Sequence, residues 1–175
     1  MAMDNDTDPA ALARLVWELE QRRLITDTLT AYCTLVDRND PAALVERVFS
    51  EDGCVELGAR HAVVGRTELI KLFARTLAGF EATSHHLSNV VIDLHGDDSA
   101  TATSSVYAWH RTVDGRRVEA WGRYADRLQL GPDGWRIAVR RLSMAGSDGW
   151  RDAPFEQIER LPNPSATPAP TVLRR

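Results

Sequence analysis

The second half of the chain carries four strand-like stretches separated by tight-turn sequences. The stretches cover residues 83–94, 99–110, 118–130 and 135–144, and the strings HGDD, DG and GPDG stand between them. Such Gly-, Asp- and Pro-rich strings are typical of hairpin turns. Consecutive strands joined by short turns pair antiparallel, so the sequence predicts a curled sheet of four long strands.

Three helical patterns stand before or among the first strands. Residues 9–36 repeat apolar positions at spacings of three and four, with Asp8 as a candidate N-cap and Pro9 at the first helical position. Because about 28 residues is long for one helix, we expect a kink or break near residues 20–23. Shorter helices are predicted over residues 42–49 and between Gly65 and Gly79, with short strands at 54–57 and 61–64. The order α-α-β-β-α-β-β-β-β predicts an α+β fold whose helices cover one face of the sheet.

The composition suits one folded domain with polar ends. Residues 1–8 are predicted to be disordered, residues 9–146 to form the domain, and residues 147–175 to form an extended, Pro-rich tail. A net charge of -4 without a basic run argues against nucleic acid as a partner. The chain lacks an apolar stretch of membrane-spanning length, and its acidic N-terminus does not resemble a secretion signal, so we expect no membrane contact and a cytoplasmic location.

The histidines and cysteines do not have the spacing of a metal site. The five histidines form no H-E-x-x-H string, and Cys33 and Cys54 form no C-x-x-C pair. The two thiols are interpreted as small buried hydrophobes. We therefore expect neither a metal nor another cofactor.

The most complete chemistry in the chain combines Tyr32 and Asp37, near the end of the first helix, with His85 at the start of a long strand. An aspartate that orients a histidine makes a metal-free general base, and a tyrosine can protonate a leaving group. A structural interpretation stays open for each residue. Tyr32 could be a core phenol, Asp37 a solvated helix-end residue, and His85 a histidine at a sheet edge. His86, on the opposite face of the strand, is the rival base. Tyr32 and Asp37 lie roughly 140° apart on an ideal helix, so both reach one pocket only if the helix ends or bends between them.

Two further candidates lie on the later strands. One arginine of the pair Arg140 and Arg141 must face inward, and a buried guanidinium needs an acceptor. Arg140 could line a pocket, or it could form a salt bridge with Glu119 or Asp126. His110 shares one face of its strand with small residues, and that face could line a cavity.

Several strings along the chain carry a family resemblance. They are YCTLVDRND, VFSEDGCVEL, GRTEL, SHHLSNVVIDLHGDDSATATS, GRYADRL and DGWRIAVRRL. Their order resembles the SnoaL-like superfamily, whose cone-shaped α+β fold is shared with nuclear-transport-factor-2-like proteins. The resemblance spans about residues 10–145. It implies a cone-shaped α+β barrel in which three N-terminal helices pack on a curled, mostly antiparallel sheet.

The resemblance also implies a set of site residues. The chain is similar to a branch containing scytalone dehydratase, the bile-acid 7α-dehydratases and hexachlorocyclohexane dehydrochlorinase. Asp37 matches the branch's aspartate at the end of the first helix, and His85 matches its histidine at the start of the long strand. Tyr32 matches a tyrosine of the bile-acid enzymes. Asn89 closes the H-x-x-x-N string of the dehydrochlorinase form, and Arg140 follows the tryptophan of the last strand by five residues. The implied catalytic residues are Asp37, His85 and Tyr32, and the implied substrate-binding residues are Arg140, His110 and Asn89.

The resemblance and the candidate residues together predict a cofactor-independent lyase. It would carry out a dehydratase-type elimination on a small hydrophobic, steroid- or polyketide-like molecule, with a His-Asp general base. An isomerase or aldol cyclase with the same dyad is one alternative. A non-catalytic ligand-binding or structural subunit is the other. The chain mixes features of two enzyme groups, so neither group's substrate carries over.

We also expect a homodimer or homotrimer. The curled sheet has one face free of helices, and in this superfamily that face pairs with another copy. Four aromatic residues would suit such an interface: Tyr107, Trp109, Trp121 and Trp135.

Overall fold

The computed structural model describes residues 8–57, 62–150 and 156–158. Its elements are, in order, α1 (Pro9–Asp37), α2 (Pro41–Val48), β1 (Phe49–Glu56), β2 (Ala62–Val64), α3 (Arg66–Leu77), β3 (Phe80–His95), β4 (Ser99–Thr112), β5 (Arg117–Gly131), β6 (Gly134–Asp148) and β7 (Glu156–Gln157). The predicted order of helices and strands is confirmed, with β7 as an unforeseen addition. Of the predictions, the disorder of residues 1–8 falls outside the described residues except at Asp8, which is the N-cap of α1. The first residue of the strand predicted over 61–64 and most of the predicted tail also lie outside the described residues.

The strands form a single curled sheet in the order β2-β1-β6-β5-β4-β3, with β7 added beside β6. All neighbours on that path are antiparallel except β1 and β6, which run parallel. The sheet curls without closing, because β2 and β3 stay at its two edges. The α+β class with three helices on a curled sheet is therefore confirmed. Phe49 differs from its predicted place, because it begins β1 rather than ending α2.

The core fills the space between the helices and the concave face of the sheet. On β4 the buried and less buried residues alternate along the whole strand, as expected for a strand with one covered face. Trp135 at the start of β6 is 2% exposed, and its Nε1 donates to Gln21 Oε1 of α1 at 2.9 Å. The prediction that Trp135 belongs to the free face is therefore wrong: this tryptophan fastens α1 to the sheet. Of the two cysteines, Cys33 is buried and Cys54 half-buried.

Helix α1 is a single unbroken helix of 29 residues, so the predicted break near residues 20–23 is wrong. What changes there is the direction of the apolar face. From Gln21 onward the buried residues point at the sheet. The earlier apolar residues point away from it by roughly 130°, given 3.6 residues per turn. These earlier residues are about half exposed, and we call them the outer stripe: Leu12, Leu15, Val16 and Leu19.

Strand β3 contains an irregularity that inverts its faces. Ser88 pairs with Ser105 but Val91 pairs with Thr103, so two residues, Asn89 and Val90, stand opposite one. Asn89 has a φ of 50°, in the left-handed region. This bulge shifts the alternation by one residue. As a result Ile92 is buried, whereas Val91 is 57% exposed. Within the described ranges, no helix has the length and apolar content that crossing a membrane requires.

Candidate active site

A cavity of about 320 Å³ lies between the concave face of the sheet and the helices. Its walls come from α1, α3 and the strands β1, β3, β4, β5 and β6. Most of the lining is aliphatic or aromatic. Three basic side chains are part of the lining: His85, His110 and Arg140. Pockets that bind small molecules combine an apolar lining with a few such polar groups.

Asp37 and His85 meet at this cavity through two hydrogen bonds. His85 Nδ1 lies 2.7 Å from Asp37 Oδ1, and the His85 backbone N–H donates to Asp37 Oδ2 at 2.9 Å. Thr83 Oγ1 also donates to Asp37 Oδ1, at 2.8 Å. The His85 side chain is only 8% exposed, whereas that of Asp37 is 27% exposed. The carboxylate is thus held from three directions, and the imidazole is fixed against it.

The protonation of Asp37 determines the tautomer of His85. Partial burial opposes ionisation of Asp37, but the hydrogen bonds from His85 and Thr83 outweigh it, so the pKa of Asp37 is lowered. An ionised carboxylate only accepts hydrogen bonds, so the proton between the two residues belongs to His85 Nδ1. In the neutral imidazole with its proton on Nδ1, the lone pair is on Nε2, which is the arrangement a general base requires.

The angle between Tyr32 and Asp37 on α1 has a simple resolution. The helix does not bend, and only Tyr32 lines the cavity. Asp37 is the last residue of α1 and contacts β3, where it lies behind His85. The two residues therefore act at one site although they point in different directions.

Arg140 forms a buried ion pair with Asp126 and also lines the cavity. Its Nε and Nη2 donate to the two carboxylate oxygens of Asp126, each at 2.8 Å, and both side chains are 1% exposed. Desolvation opposes the charge on Arg140, but Asp126 outweighs it, so the pKa of Arg140 is raised. Both interpretations left open for Arg140 thus apply together. Its third nitrogen, Nη1, is buried and has no hydrogen-bond partner among the described residues.

Two tyrosines surround the Arg140 guanidinium. Its central carbon lies 4.1 Å from the ring centroid of Tyr32 and 4.1 Å from that of Tyr124. Contacts of this kind stabilise a cation over aromatic faces. Burial raises the pKa of both phenols, although the positive charge of Arg140 acts in the other direction. The two hydroxyls therefore stay protonated near neutral pH and can donate to a ligand.

His110 lies beside His85 on the neighbouring strand. The two rings are perpendicular, with centroids 5.3 Å apart. Burial, and after it the nearby His85, lowers the pKa of His110 to about 4. His110 is therefore neutral at physiological pH. Its Nδ1 lies 3.4 Å from the Val118 carbonyl oxygen, so Nε2 is the nitrogen that can accept a hydrogen bond.

The predicted binding residue Asn89 and the rival base His86 both lie outside the cavity. Asn89 is exposed at the bulge, its side chain donates to Ser105 at 3.4 Å, and it does not line the cavity. His86 is on the other face of β3, where its ring contacts Tyr107. Trp121, predicted for an interface, is 40% exposed but contributes to the cavity wall.

The sequence interpretation missed three residues of the site: Thr83, Tyr124 and Trp150. Thr83 stands two residues before His85 on the same strand face, which is a signal that alternation offers. Tyr124 is itself buried and lies on the same face of β5 as Gly122, Asp126 and Leu128, which is again a signal that alternation offers. Trp150 lies past the end of β6, where the sequence has no periodicity, so no pattern predicted its contact with the cavity.

The fold and this cavity define a class of protein, and a family comparison agrees with it. The model of the SnoaL-like domain matches residues 17–141. The chain belongs to the SnoaL-like domain family.

Solved structures of the same fold give more detail. A candidate scytalone dehydratase from Novosphingobium aromaticivorans DSM 12444 is 26% identical, with a TM-score of 0.79 over 85% of this chain and 99% of that one. A candidate aromatic ring hydroxylase from Novosphingobium aromaticivorans is 27% identical, with a TM-score of 0.69 over 73% and 91%. A type 2 hexachlorocyclohexane dehydrochlorinase, 16% identical, shares the fold with a TM-score of 0.69 over 86% and 99%. A comparison with curated proteins finds none that matches this chain.

Proposed function

We propose that the protein is a dehydratase-type lyase that acts on a small, mainly apolar molecule with its own side chains as acid and base. The observation that carries the proposal is the hydrogen bond between His85 Nδ1 and Asp37 Oδ1 at the wall of an apolar cavity. The similarity to a candidate scytalone dehydratase supports a dehydratase or isomerase type of reaction. The proposal does not rest on Asn89, which is exposed outside the cavity.

In the proposed elimination, His85 Nε2 removes a proton from a carbon next to a substrate carbonyl. The electrons of that C–H bond form a new C=C bond, and the C–O bond to the β-hydroxyl breaks. The departing oxygen takes a proton from the Tyr32 hydroxyl and leaves as water. Solvent then carries the proton from His85 back to the phenolate. Asp37 stabilises the imidazolium that exists between these steps.

The charge that develops on oxygen would be met by Arg140. This guanidinium is already desolvated, and Asp126 and two tyrosine rings fix its position. Preorganised charges in an apolar site act strongly because they need not reorganise during the reaction. His110, neutral and beside His85, would accept a hydrogen bond from the substrate.

The size and lining of the cavity set the class of substrate. A volume of 320 Å³ is at the lower end of the roughly 300–1,000 Å³ of ligand pockets. The lining suits fused rings of polyketide or small steroid type with few polar groups. The open cavity also disfavours a purely structural subunit, whose interior would be filled.

An isomerase or aldol cyclase with the same dyad is the second candidate. It is favoured by Tyr32 and Arg140, which lie together and could both donate to an enolate oxygen. In an isomerisation the proton removed by His85 would return to another carbon. In an aldol cyclisation the carbanion would attack a second carbonyl carbon of the substrate, and the proton would go to the oxygen of that carbonyl as its π bond breaks. Neither reaction would lose water.

The test is incubation with a panel of bicyclic ketones, some carrying a β-hydroxyl, in D₂O. We expect the β-hydroxy ketones to lose one molecule of water, as read by mass spectrometry. Deuterium entering a carbon other than the one next to the carbonyl, without loss of water, would favour the isomerase. A new carbon–carbon bond in a product that has lost no water would favour the cyclase. If none of these changes occurs with any panel member that binds, the proposed chemistry is wrong.

A further inference from the structure

The cavity contains a second buried donor that the proposed chemistry does not use. Trp150 lines the cavity, and its Nε1 is buried without a hydrogen-bond partner among the residues the structure describes. The indole contacts two other cavity residues, with its ring centroid 5.7 Å from that of His110 and 6.0 Å from that of Phe80. It therefore lies on the side of the cavity formed by β3 and β4, next to His110, whose ring contacts the proposed base His85.

A second tryptophan of the same chain serves as an internal comparison. Trp135 is 2% exposed, whereas Trp150 is half-buried with a buried Nε1. The Trp135 Nε1 donates to Gln21 Oε1. Buried polar groups in folded proteins are generally paired, so an unpaired one needs an explanation. The indole N–H of Trp135, which joins α1 to the sheet, has a hydrogen-bond partner. The indole N–H of Trp150, which lines the cavity, has none among the described residues.

The backbone before Trp150 delivers the indole to this place. Gly149 has a φ of 74°, which side-chain-bearing residues rarely adopt, and a Cβ there would stand 2.4 Å from the Arg117 carbonyl oxygen. The glycine allows the chain to leave β6 close against β5. Trp150 then turns back onto the cavity instead of continuing outward.

Arg140 Nη1 is the other buried nitrogen of the cavity wall without a partner in the described part of the chain. The remaining unpaired buried atoms in that part are the hydroxyls of Ser50 and Ser104, and neither residue lines the cavity. Both unpaired N–H donors thus border the same space. A site of this kind binds ligands that present an acceptor to each donor, and it rejects analogues that leave a donor unpaired.

We infer that Trp150 is a specificity-determining residue, and that the substrate carries two oxygen acceptors, one for Arg140 and one for the Trp150 indole. This inference rests on the proposed function only in taking the cavity as the place where the substrate binds. It narrows the substrate class to ring systems with at least two oxygen functions. A hydroxylated ketone satisfies it, and a simple hydrocarbon or mono-ketone does not.

The experiment measures binding and not turnover. The probes are 1-tetralone and its 4-hydroxy and 5-hydroxy derivatives, none of which has a hydroxyl β to the carbonyl, and the dissociation constants come from isothermal titration calorimetry. At least one hydroxylated probe should bind the wild-type protein about tenfold to a hundredfold more tightly than 1-tetralone. Trp150→Phe keeps an aromatic ring but lacks the donor, so this preference should disappear.

A matched control separates the donor from a general effect. Trp109 lies on the opposite side of β4 from His110 and outside the cavity lining. Trp109→Phe should keep the wild-type preference. The inference is overturned if the wild-type protein shows no preference for either hydroxylated probe, or if Trp150→Phe retains it. Binding without any turnover of β-hydroxy ketones would reject the proposed lyase chemistry and leave this inference standing.

A separate observation concerns the outer stripe of α1. Leu12, Leu15, Val16 and Leu19 are 49–59% exposed and lie on the side of the helix opposite the core. Helices of single domains normally turn their apolar side inward, so an apolar stripe facing out marks an interaction surface. No residue from Pro9 to Glu20 is buried: Trp17 and Glu18 are half-buried, and the outer stripe is the exposed apolar side of this half of the helix.

The arrangement of the stripe specifies its occupant. Two antiparallel copies of α1 could pack about a two-fold axis that passes between Leu15 and Val16. Leu12 of each copy would then lie beside Leu19 of the other. The same register sets Asp8 opposite the second copy's Arg23, whose guanidinium also bonds Glu20 and Asp27 of its own helix. Self-complementarity about a two-fold axis is what a symmetric dimer requires.

We propose that this protein dimerises through the outer stripe of α1. The stripe alone is smaller than the roughly 800 Å² per partner of a standard interface, so the dimer should be weak and dependent on concentration. This surface differs from the free face of the sheet, where a homodimer or trimer was expected from the sequence. It lies on the far side of α1 from the cavity.

Sedimentation velocity over a wide range of concentration tests this proposal. The wild-type protein should form dimers as concentration rises, Leu15→Glu should remain monomeric, and Tyr107→Glu, on the free sheet face, should dimerise like the wild type. A Leu15→Cys variant should cross-link to itself under oxidation, because residue 15 lies next to the two-fold axis. A wild-type protein that is monomeric throughout, or a dimer lost in Tyr107→Glu but kept in Leu15→Glu, would reject the proposal.

Discussion

Replacing His85 with glutamine should lower kcat, on a substrate that the wild-type enzyme dehydrates, by about 10³- to 10⁴-fold. This is the upper part of the range for a general base. Glutamine fills a similar volume and can still bond to Asp37, but it cannot accept a proton near neutral pH. KM should change little, because the rest of the cavity stays intact. Steady-state kinetics on a β-hydroxy ketone from the panel gives both parameters.

Two comparisons make this result specific. His86→Gln alters a histidine on the opposite face of the same strand and should keep nearly full activity. Asp37→Asn should also lower kcat, since an amide can no longer stabilise the imidazolium. If Asp37 acts only through His85, the double variant Asp37→Asn/His85→Gln should have the same kcat as His85→Gln alone. A His85→Gln enzyme with near-normal kcat would remove the basis of the proposed mechanism.

The fold was largely predictable because its signals are local. Turn strings bound each long strand, and Asp8 and Asp40 cap α1 and α2 with the side-chain hydrogen bonds that such residues form at helix N-termini. The error at residues 20–23 has a physical origin. The break was predicted from the length of the pattern, and length alone does not decide it: α1 is continuous over 29 residues, and only the direction of its apolar face changes at Gln21.

Inside the sheet, the limit of prediction was the bulge at Asn89. A strand pattern assigns residues to faces only while the alternation is uninterrupted, and an extra residue inverts every assignment after it. His85 and Leu87 precede the bulge, whereas Ile92 follows it on the same concave face with the opposite parity. The string H-x-x-x-N therefore joins two residues that do not share a site in this structure.

The site itself needed contacts across long stretches of sequence. Asp37 and His85 are 48 residues apart and meet only because the end of α1 lies against the start of β3. A family resemblance can supply that pairing, since it encodes a known arrangement. Trp150 and Thr83 were not in the resemblance. Alternation could have pointed to Thr83, which bonds Asp37, but only the structure brings Trp150 to the cavity.

Separating Arg140 from Asp126 should destabilise the fold strongly. Arg140→Met would leave the Asp126 carboxylate, 1% exposed, without its partner, and loss of one member of a buried pair costs about 3–5 kcal/mol. Asp126→Leu should cost a similar amount, because it strands the guanidinium. Urea unfolding followed by circular dichroism gives the free energy of unfolding of each variant.

The double variant Arg140→Met/Asp126→Leu tests whether the loss comes from the stranded charge or from the missing attraction. With both charges removed, no ion stays buried without a partner, and apolar side chains of similar size fill the space. The double variant should therefore be more stable than either single variant, and close to the wild type. Its cavity would have lost the guanidinium, so it should remain folded but inactive. Single variants within about 1 kcal/mol of the wild type would mean that water reaches the pair. A double variant as unstable as the singles would instead make packing around Tyr32 and Tyr124 the main role of Arg140, and charge the lesser one.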